Sequence, residues 1–195
     1  MNEADRDISA VFFDFGGVVS SFNQAEVSRL EEQYGLPASG LLQVLYEIPE
    51  WKTLELGNGS EEAWLAAGER KLAELAGRPV PEFREEWSQV RMELDRDIVA
   101  LAERLRGRYR VGMISNATLE LEEILRDQHG IDHLFDIVVN SARVGVAKPD
   151  ARIFNLAAER AGVEPRTCLL IDDLPQNVLG AREAGFQAIR YEGDY

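Results

Sequence analysis

The sequence predicts an α/β protein: a doubly wound parallel sheet carrying an inserted α-helical block. Three observations carry that expectation. The apolar run Ile8, Ala10, Val11, Phe12, Phe13 stops abruptly at Asp14 and is followed by Gly16-Gly17, the pattern of a short strand buried on both faces. From Asp97 onward, helical patterns alternate with short apolar runs, which implies parallel strands joined by right-handed crossovers. Between the two, from about Asn23 to Leu94, nearly everything has helical periodicity.

Taken in order, the first strand covers the run to Phe13. Asn23 caps a helix carrying Val27, Leu30 and Tyr34, and Gly35-Leu36-Pro37 ends it. A short apolar segment, Leu41 to Ile48, stops at Pro49, and Gly57-Asn58-Gly59 is a turn. Ser60 caps a helix that reaches about Ala76, with Glu61 and Glu62 at the positive end of its dipole. Another helix is expected over Pro81 to Met92, and Trp51, Trp64 and Trp87 are read as core. Asp97 to Arg106 is a helix presenting Ile98, Leu101 and Leu105, and Gly107 ends it. A strand over Tyr109–Ile114 follows, then a helix from Thr118 to about Gln128 and a strand over Phe135–Val139. Lys148-Pro149-Asp150 opens a helix whose apolar face includes Ile153, Phe154 and Ala157, and Gly162 stops it. Leu169–Ile171 is a strand, Gln176 to Ala184 a helix, and Ala188–Tyr191 the last strand.

A chain of 195 residues holds one core and a small second domain. The division expected is residues 1–20 and 97–195 for the core, and 21–96 for a helical cap. A net charge of −14 speaks against non-specific nucleic-acid binding and against an anionic membrane surface, but not against a small phosphorylated ligand held by local donors. No apolar run has the length of a membrane span, and the acidic MNEADRD start lacks the basic and apolar regions of a secretory signal. With a single cysteine, Cys168, read as a buried thiol, these features imply a cytoplasmic protein. The sequence does not decide between monomer and homodimer.

The chemistry lies at the ends of the strands. Asp14 ends the first, Ser115 and Asn116 follow the second, and Asp172 and Asp173 follow the fourth. By itself Asp14 reads equally as a helix cap. In a parallel sheet, however, all three ends share the carboxyl edge, where open α/β sheets bind ligands. Carboxylates gathered there repel one another and call for a cation. An oxygen-only set suits Mg²⁺, which takes one or two carboxylates, waters and a substrate phosphate oxygen.

At this point the chain resembles the haloacid dehalogenase superfamily, whose members are mostly Mg²⁺-dependent phosphatases with a Rossmann-like core. The resemblance covers residues 8 to 20 and about 97 to 195, through FFDFGGVV, MISNA, GVAKPDARIF and LLIDDLPQNVLGA, in the family's order. The helical insertion is similar to the family's mobile cap. The resemblance implies that Asp14 is the nucleophile, forming an aspartyl-phosphate. It implies that Ser115 and the amide of Asn116 bind phosphate oxygens, and that Lys148 neutralises charge on Asp14 and the phosphoryl group. Asp14, the carbonyl of Gly16 and Asp173 would hold Mg²⁺, with Asp172 acting through a metal-bound water and Asn177 orienting that set. His129 and His133 lie outside these motifs and are read as structural.

The chain departs from the family pattern at one position. Family phosphatases commonly carry a second aspartate two residues after the nucleophile as general acid and base, and here that residue is Gly16. Some sugar-1-phosphate phosphatases resemble this chain in that respect. Three functions stay open on the sequence. The first is a Mg²⁺-dependent phosphatase of a small phosphorylated metabolite, a sugar 1-phosphate among the candidates. The second is a catalytically silent protein that binds phosphate ligands. The third is a metal-independent 2-haloacid dehalogenase, against which the paired Asp172-Asp173 counts. If another residue replaces the missing acid, the cap's Glu47, Glu50 and Glu55 are candidates.

Overall fold

Phe12 and Phe13 are adjacent in sequence and both fully buried, and they belong to different cores. The computed structural model describes residues 8–193; Met1–Asp7, including the acidic start, and the last two residues lie outside the described residues. After β1 (Ala10–Phe13) come β2 (Ser20–Phe22), α1 (Gln24–Tyr34), α2 (Gly40–Glu47), α3 (Pro49–Leu54), α4 (Glu61–Ala76), α5 (Phe83–Ser88) and β3 (Met92–Leu94). The remainder alternates through α6 (Arg96–Leu105), β4 (Arg110–Ser115), α7 (Leu121–Glu123), β5 (Ile137–Asn140), α8 (Ser141–Val144), α9 (Ala151–Ala161), β6 (Cys168–Asp172), α10 (Pro175–Glu183) and β7 (Gln187–Arg190).

Five strands form one sheet in the order β5-β4-β1-β6-β7, every pairing parallel. β1 is central, with Phe13 opposite Met113 on one side and Ile171 on the other. Successive side chains of a strand point to opposite faces. Phe12 therefore packs with Ile114 and Leu170 under α9 and α10, through Phe154, Ala157 and Ala181. Phe13 packs with Met113 and Val111 on the other face, against Ile98 and Ala102 of α6 and Leu121 of α7. Gly112 makes room for this arrangement, because a Cβ there would stand 2.5 Å from the Phe12 ring.

The insertion after β1 has an apolar cluster of its own, including Leu30, Leu41, Leu45, Trp51, Trp64, Phe83 and Trp87. The three tryptophans are all core, and the Trp64 indole Nε1 donates to the Leu45 carbonyl at 2.7 Å. The caps fall where the sequence places them: the Asn23 side chain accepts from Glu26 N, and the Ser60 side chain from Ala63 N.

The expected helix over Pro81–Met92 is corrected. Helix α5 is only Phe83–Ser88, and Met92 opens β3, which pairs antiparallel with β2 through Ser20–Leu94 and Phe22–Met92. A three-residue strand has too little length to show a period of two, and its partner lies some 70 residues earlier in the chain. The segment from Leu41 stops before Pro49 as expected, α2 ending at Glu47, and Pro49 also opens a new helix, α3, as fits its fixed φ at a first helical position. One further boundary differs. The helix expected from Thr118 starts at Leu121 and finishes with a π-helical stretch over Ile124–Gln128.

Contacts at both ends of the insertion tie it to the core. Asp95, just after β3, donates its N–H to the Val19 carbonyl at 2.9 Å, and its side chain caps α6. Gly57, in the loop after α3, sits so close to the start of α8 that a Cβ on it would be 2.1 Å from the Ala142 carbonyl oxygen.

Candidate active site

Asp14 leaves β1 with its backbone still in the sheet, its N–H donating to the Ile171 carbonyl at 2.9 Å. That bond aims the side chain over the carboxyl edge. Asp14 Oδ1 accepts from Phe15 N at 2.7 Å and lies 2.9 Å from Lys148 Nζ. Lys148 has no side-chain exposure at all, and its Nζ also reaches Asp172 Oδ2 at 2.6 Å. The ammonium is thus wedged between two carboxylates that come from neighbouring strands. Burial works against its charge, but Asp14 and Asp172 outweigh that penalty and hold Lys148 above the ordinary lysine range. Burial dominates at Asp14 and pushes its carboxyl up to about 7, despite the opposing pull of Lys148.

The second clamp on Lys148 was not legible in the sequence. The Asn116 side chain donates to the Lys148 carbonyl at 2.9 Å and accepts from the Lys148 N–H at 2.7 Å. An amide that pairs with both the N–H and the carbonyl of one residue fixes the backbone from which the lysine projects. From the far side, Gly180 of α10 packs against Pro149, where a Cβ would meet the Pro149 carbonyl oxygen at 2.5 Å. The loop after β4 is steadied in turn by Ser141, whose hydroxyl accepts from Ala117 N at 3.0 Å. The only sequence signal for Asn140 and Ser141 was that a strand ends in two polar residues. Ser115, the last residue of β4, is buried beside this loop.

The two acids at the end of β6 are not equivalent. Asp172 is fully buried, and each of its oxygens accepts two hydrogen bonds. Oδ1 takes Leu174 N and Asn177 Nδ2, both at 3.0 Å; Oδ2 takes Lys148 Nζ at 2.6 Å and Asn177 Nδ2 at 3.2 Å. A carboxylate has about four lone-pair sites, so Asp172 is saturated. Asn177 is therefore a grip on Asp172 and not a helix cap. Asp173 is only part-buried, and its carboxylate lies along Gly17, where a Cβ would come within 2.5 Å of Asp173 Oδ2. Gly17 has φ +80, so both its conformation and this approach favour glycine. Burial, then the neighbouring Asp172, raises the Asp173 carboxyl.

Asp14, Asp172 and Asp173 each offer an oxygen within 4.8 Å of the others. Oxygens around one octahedral Mg²⁺ at about 2.1 Å stand roughly 3 to 4 Å apart, so small rotations of Asp14 and Asp173 would bring their oxygens onto one hard cation, with the saturated Asp172 beside it. Three carboxylates and one ammonium leave a two-fold negative charge, which a divalent ion balances.

His133 is exposed, and the His129 ring packs 6.0 Å from Phe15 rather than among the acids. In the insertion, Glu50 faces Arg70 at 3.7 Å, Glu47 is exposed, and Glu55 is buried with Lys52 at 3.1 Å.

The family model of haloacid dehalogenase-like hydrolases matches residues 8–185. The chain belongs to that family. It is 32% identical over 186 residues to a pyrimidine 5′-nucleotidase of Escherichia coli, covering 93% of this chain and 80% of the relative. It is 30% identical over 194 residues to a phosphatase of Mycobacterium tuberculosis, covering 93% and 86%. Among solved structures, a haloacid dehalogenase family enzyme of Bacteroides thetaiotaomicron, in complex with magnesium and inorganic phosphate, superposes with a TM-score of 0.70. That match covers 96% of both chains at 19% identity and shows the shared fold. The doubly wound sheet with a helical insertion is thus the family's architecture, and the chain is a hydrolase of phosphatase kinship.

Proposed function

We propose that this chain is a Mg²⁺-dependent phosphatase that hydrolyses a small phosphorylated metabolite through an aspartyl-phosphate on Asp14. The observation that carries the reading is the Asp14–Lys148–Asp172 wedge with Asp173 beside it, three carboxylate oxygens within 4.8 Å at one sheet edge. Asp14 has Oδ1 fastened by Lys148 and Phe15 N, which leaves the second oxygen to attack phosphorus. Lys148 stabilises charge that builds on the phosphoryl group, and a donor fixed in advance is worth most where water is excluded. In this reading Ser115 and the Asn116 N–H would receive phosphoryl oxygens. Mg²⁺ would be held by Asp14, Asp173 and the Gly16 carbonyl, and would supply further neutralisation of the phosphate. Asp172, already saturated, acts by holding Lys148 rather than through a metal-bound water. The reading assigns residues 21–96 to a cap over the carboxyl edge, which the Gly57–Ala142 approach supports.

The names of relatives support phosphomonoester substrates: a 5′-nucleotide is a candidate from the nucleotidase, and a sugar 1-phosphate from a fructose-1-phosphate phosphatase of Escherichia coli, 32% identical over 83 residues. A cytoplasmic setting goes with the reading. Among the described residues, no helix is long and apolar enough to cross a membrane. The test is Asp14→Asn. Turnover of a phosphorylated-metabolite panel in Mg²⁺ is expected to vanish while the circular dichroism spectrum stays that of the parent. Substantial Mg²⁺-dependent phosphate release by that variant would sink the covalent mechanism.

A further inference from the structure

We infer that Ser141 is a positioning residue for the reaction: with Asn140 and Arg143 it forms a cradle that sets the loop after β4, and with that loop the groups that receive the phosphoryl oxygens. This role rests on the phosphatase reading above and deepens it.

Ser115 ends β4 and stands opposite Asn140, the last residue of β5, in the parallel ladder. Beyond that pair the ladder stops, and residues 116–120 lie in neither strand nor helix. Backbone of that kind needs hydrogen-bond partners from elsewhere, and one short segment supplies them. The Ser141 hydroxyl accepts from the Ala117 N–H at 3.0 Å and donates to the Ala117 carbonyl at 3.4 Å. Asn140 Nδ2 donates to the Thr118 carbonyl at 2.8 Å, and the Arg143 guanidinium donates to the Leu119 carbonyl at 3.0 Å. Three consecutive carbonyls of the loop are thus held by side chains from one turn of chain. Glu122, where the loop runs into α7, closes the set, lying 3.0 Å from Asn140 Nδ2 and 2.7 Å from Arg143 Nε.

The cradle is itself fixed. Asn140 and Ser141 are buried, Asn140 Oδ1 caps α8 by accepting from Ala142 N at 3.0 Å, and Gly57 of the insertion packs on the Ala142 carbonyl. Ser141 is the member of the cradle nearest the chemistry. Ala117, which it holds by both backbone groups, adjoins Asn116, and the Asn116 side chain in turn pairs with the N–H and the carbonyl of Lys148. One hydroxyl therefore steadies the turn that carries Ser115 and Asn116 and, through Asn116, the backbone of the lysine wedged between Asp14 and Asp172. Donors fixed in advance are worth most to a transferring phosphoryl group, and a misplacement of about 1 Å by a distant change costs about 10²-fold in rate. Ser141 acts through Ala117 and Asn116 and is assigned no contact with substrate or cation.

The experiment compares the parent with Ser141→Ala by kcat/KM for para-nitrophenyl phosphate, by the inhibition constant of inorganic phosphate, and by the rise in melting temperature that Mg²⁺ alone produces. Loss of the hydroxyl strips the Ala117 N–H and carbonyl of their partner. The phosphate constant is then expected to rise about tenfold and kcat/KM to fall by about 10- to 100-fold. The rise in melting temperature with Mg²⁺ is expected to match that of the parent, because Asp14, Asp173 and the Gly16 carbonyl are untouched. A folded variant that melts lower yet binds phosphate like the parent would overturn the inference, since Ser141 would then serve stability alone. Loss of the Mg²⁺ response together with phosphate binding would overturn it too, by showing that the whole site had collapsed. Should the variant fail to fold, hydrogen exchange in the parent decides. The Ala117 amide is expected to exchange slowly without any ligand, and fast exchange there, slowed only by phosphate, would refute a loop set in advance. A parent that neither hydrolyses the ester in Mg²⁺ nor binds phosphate would remove the phosphatase reading and this inference with it; an active parent with an indistinguishable Ser141→Ala removes the inference alone.

Discussion

Lys148→Met removes the cation from between Asp14 and Asp172 while keeping most of the side chain's volume. Its Nζ stands 2.9 Å from one carboxylate and 2.6 Å from the other, with no side-chain exposure. Breaking a buried ion pair by deleting one partner typically costs about 3–5 kcal/mol, because the other charge is left uncompensated. Here two carboxylates are left, but Asp14 has an escape. Its pKa already lies up at about 7, and losing Lys148 raises it further, so near neutral pH it takes a proton. The sign follows from linkage. A carboxyl whose folded pKa exceeds its unfolded value binds more protons when folded, so stability falls as pH rises between the two, by about 1.4 kcal/mol per pH unit for one proton. For the parent that decline runs from the unfolded value near 3.8 to about 7 and then flattens. For Lys148→Met it continues above 7. Urea unfolding of the metal-free proteins at pH 6, 7 and 8.5 is the assay. The expected loss is about 3 kcal/mol near neutrality, widening at pH 8.5. A loss under about 1 kcal/mol, or one that does not change with pH, would refute the idea that Lys148 holds the cluster together.

The remaining expectations concern single contacts. Mg²⁺ should raise the melting temperature of the parent, with a stabilisation of about 2.7 kcal/mol at a hundred times Kd; Asp173→Asn should lose most of that shift while melting close to the parent without metal. Gly57→Ala should destabilise by about 1–3 kcal/mol, since φ is +79 and the new Cβ would lie 2.1 Å from the Ala142 oxygen; unchanged unfolding in urea would mean that this loop does not rest on α8. Burial pushes the Cys168 thiol up to about 12, so a thiol reagent at pH 8 should label it only after denaturation, and fast labelling of the folded protein would contradict its burial at the start of β6.

The sequence by itself determined the sheet and the acids at its edge. A run such as Ala10–Phe13 is too short and too apolar to be anything but a strand buried on both faces, and the terminal residues of parallel strands must share an edge. Asp14, Ser115 and Asp172 therefore converge by topology alone. The helix caps at Asn23 and Ser60 were legible because capping is a local hydrogen bond between neighbours in sequence. What only the tertiary structure decided depends on partners far apart in the chain. Strand β3 exists because β2 is there to pair with it, and three residues cannot announce that. The Asn116 grip on the Lys148 peptide spans 32 positions, and its single asparagine looks like any other loop residue. The difference between Asp172 and Asp173 is also tertiary. The two are neighbours of identical chemistry, and the pleat of β6 turns one into the core, where Lys148 and Asn177 saturate it, and the other toward the cleft beside Gly17.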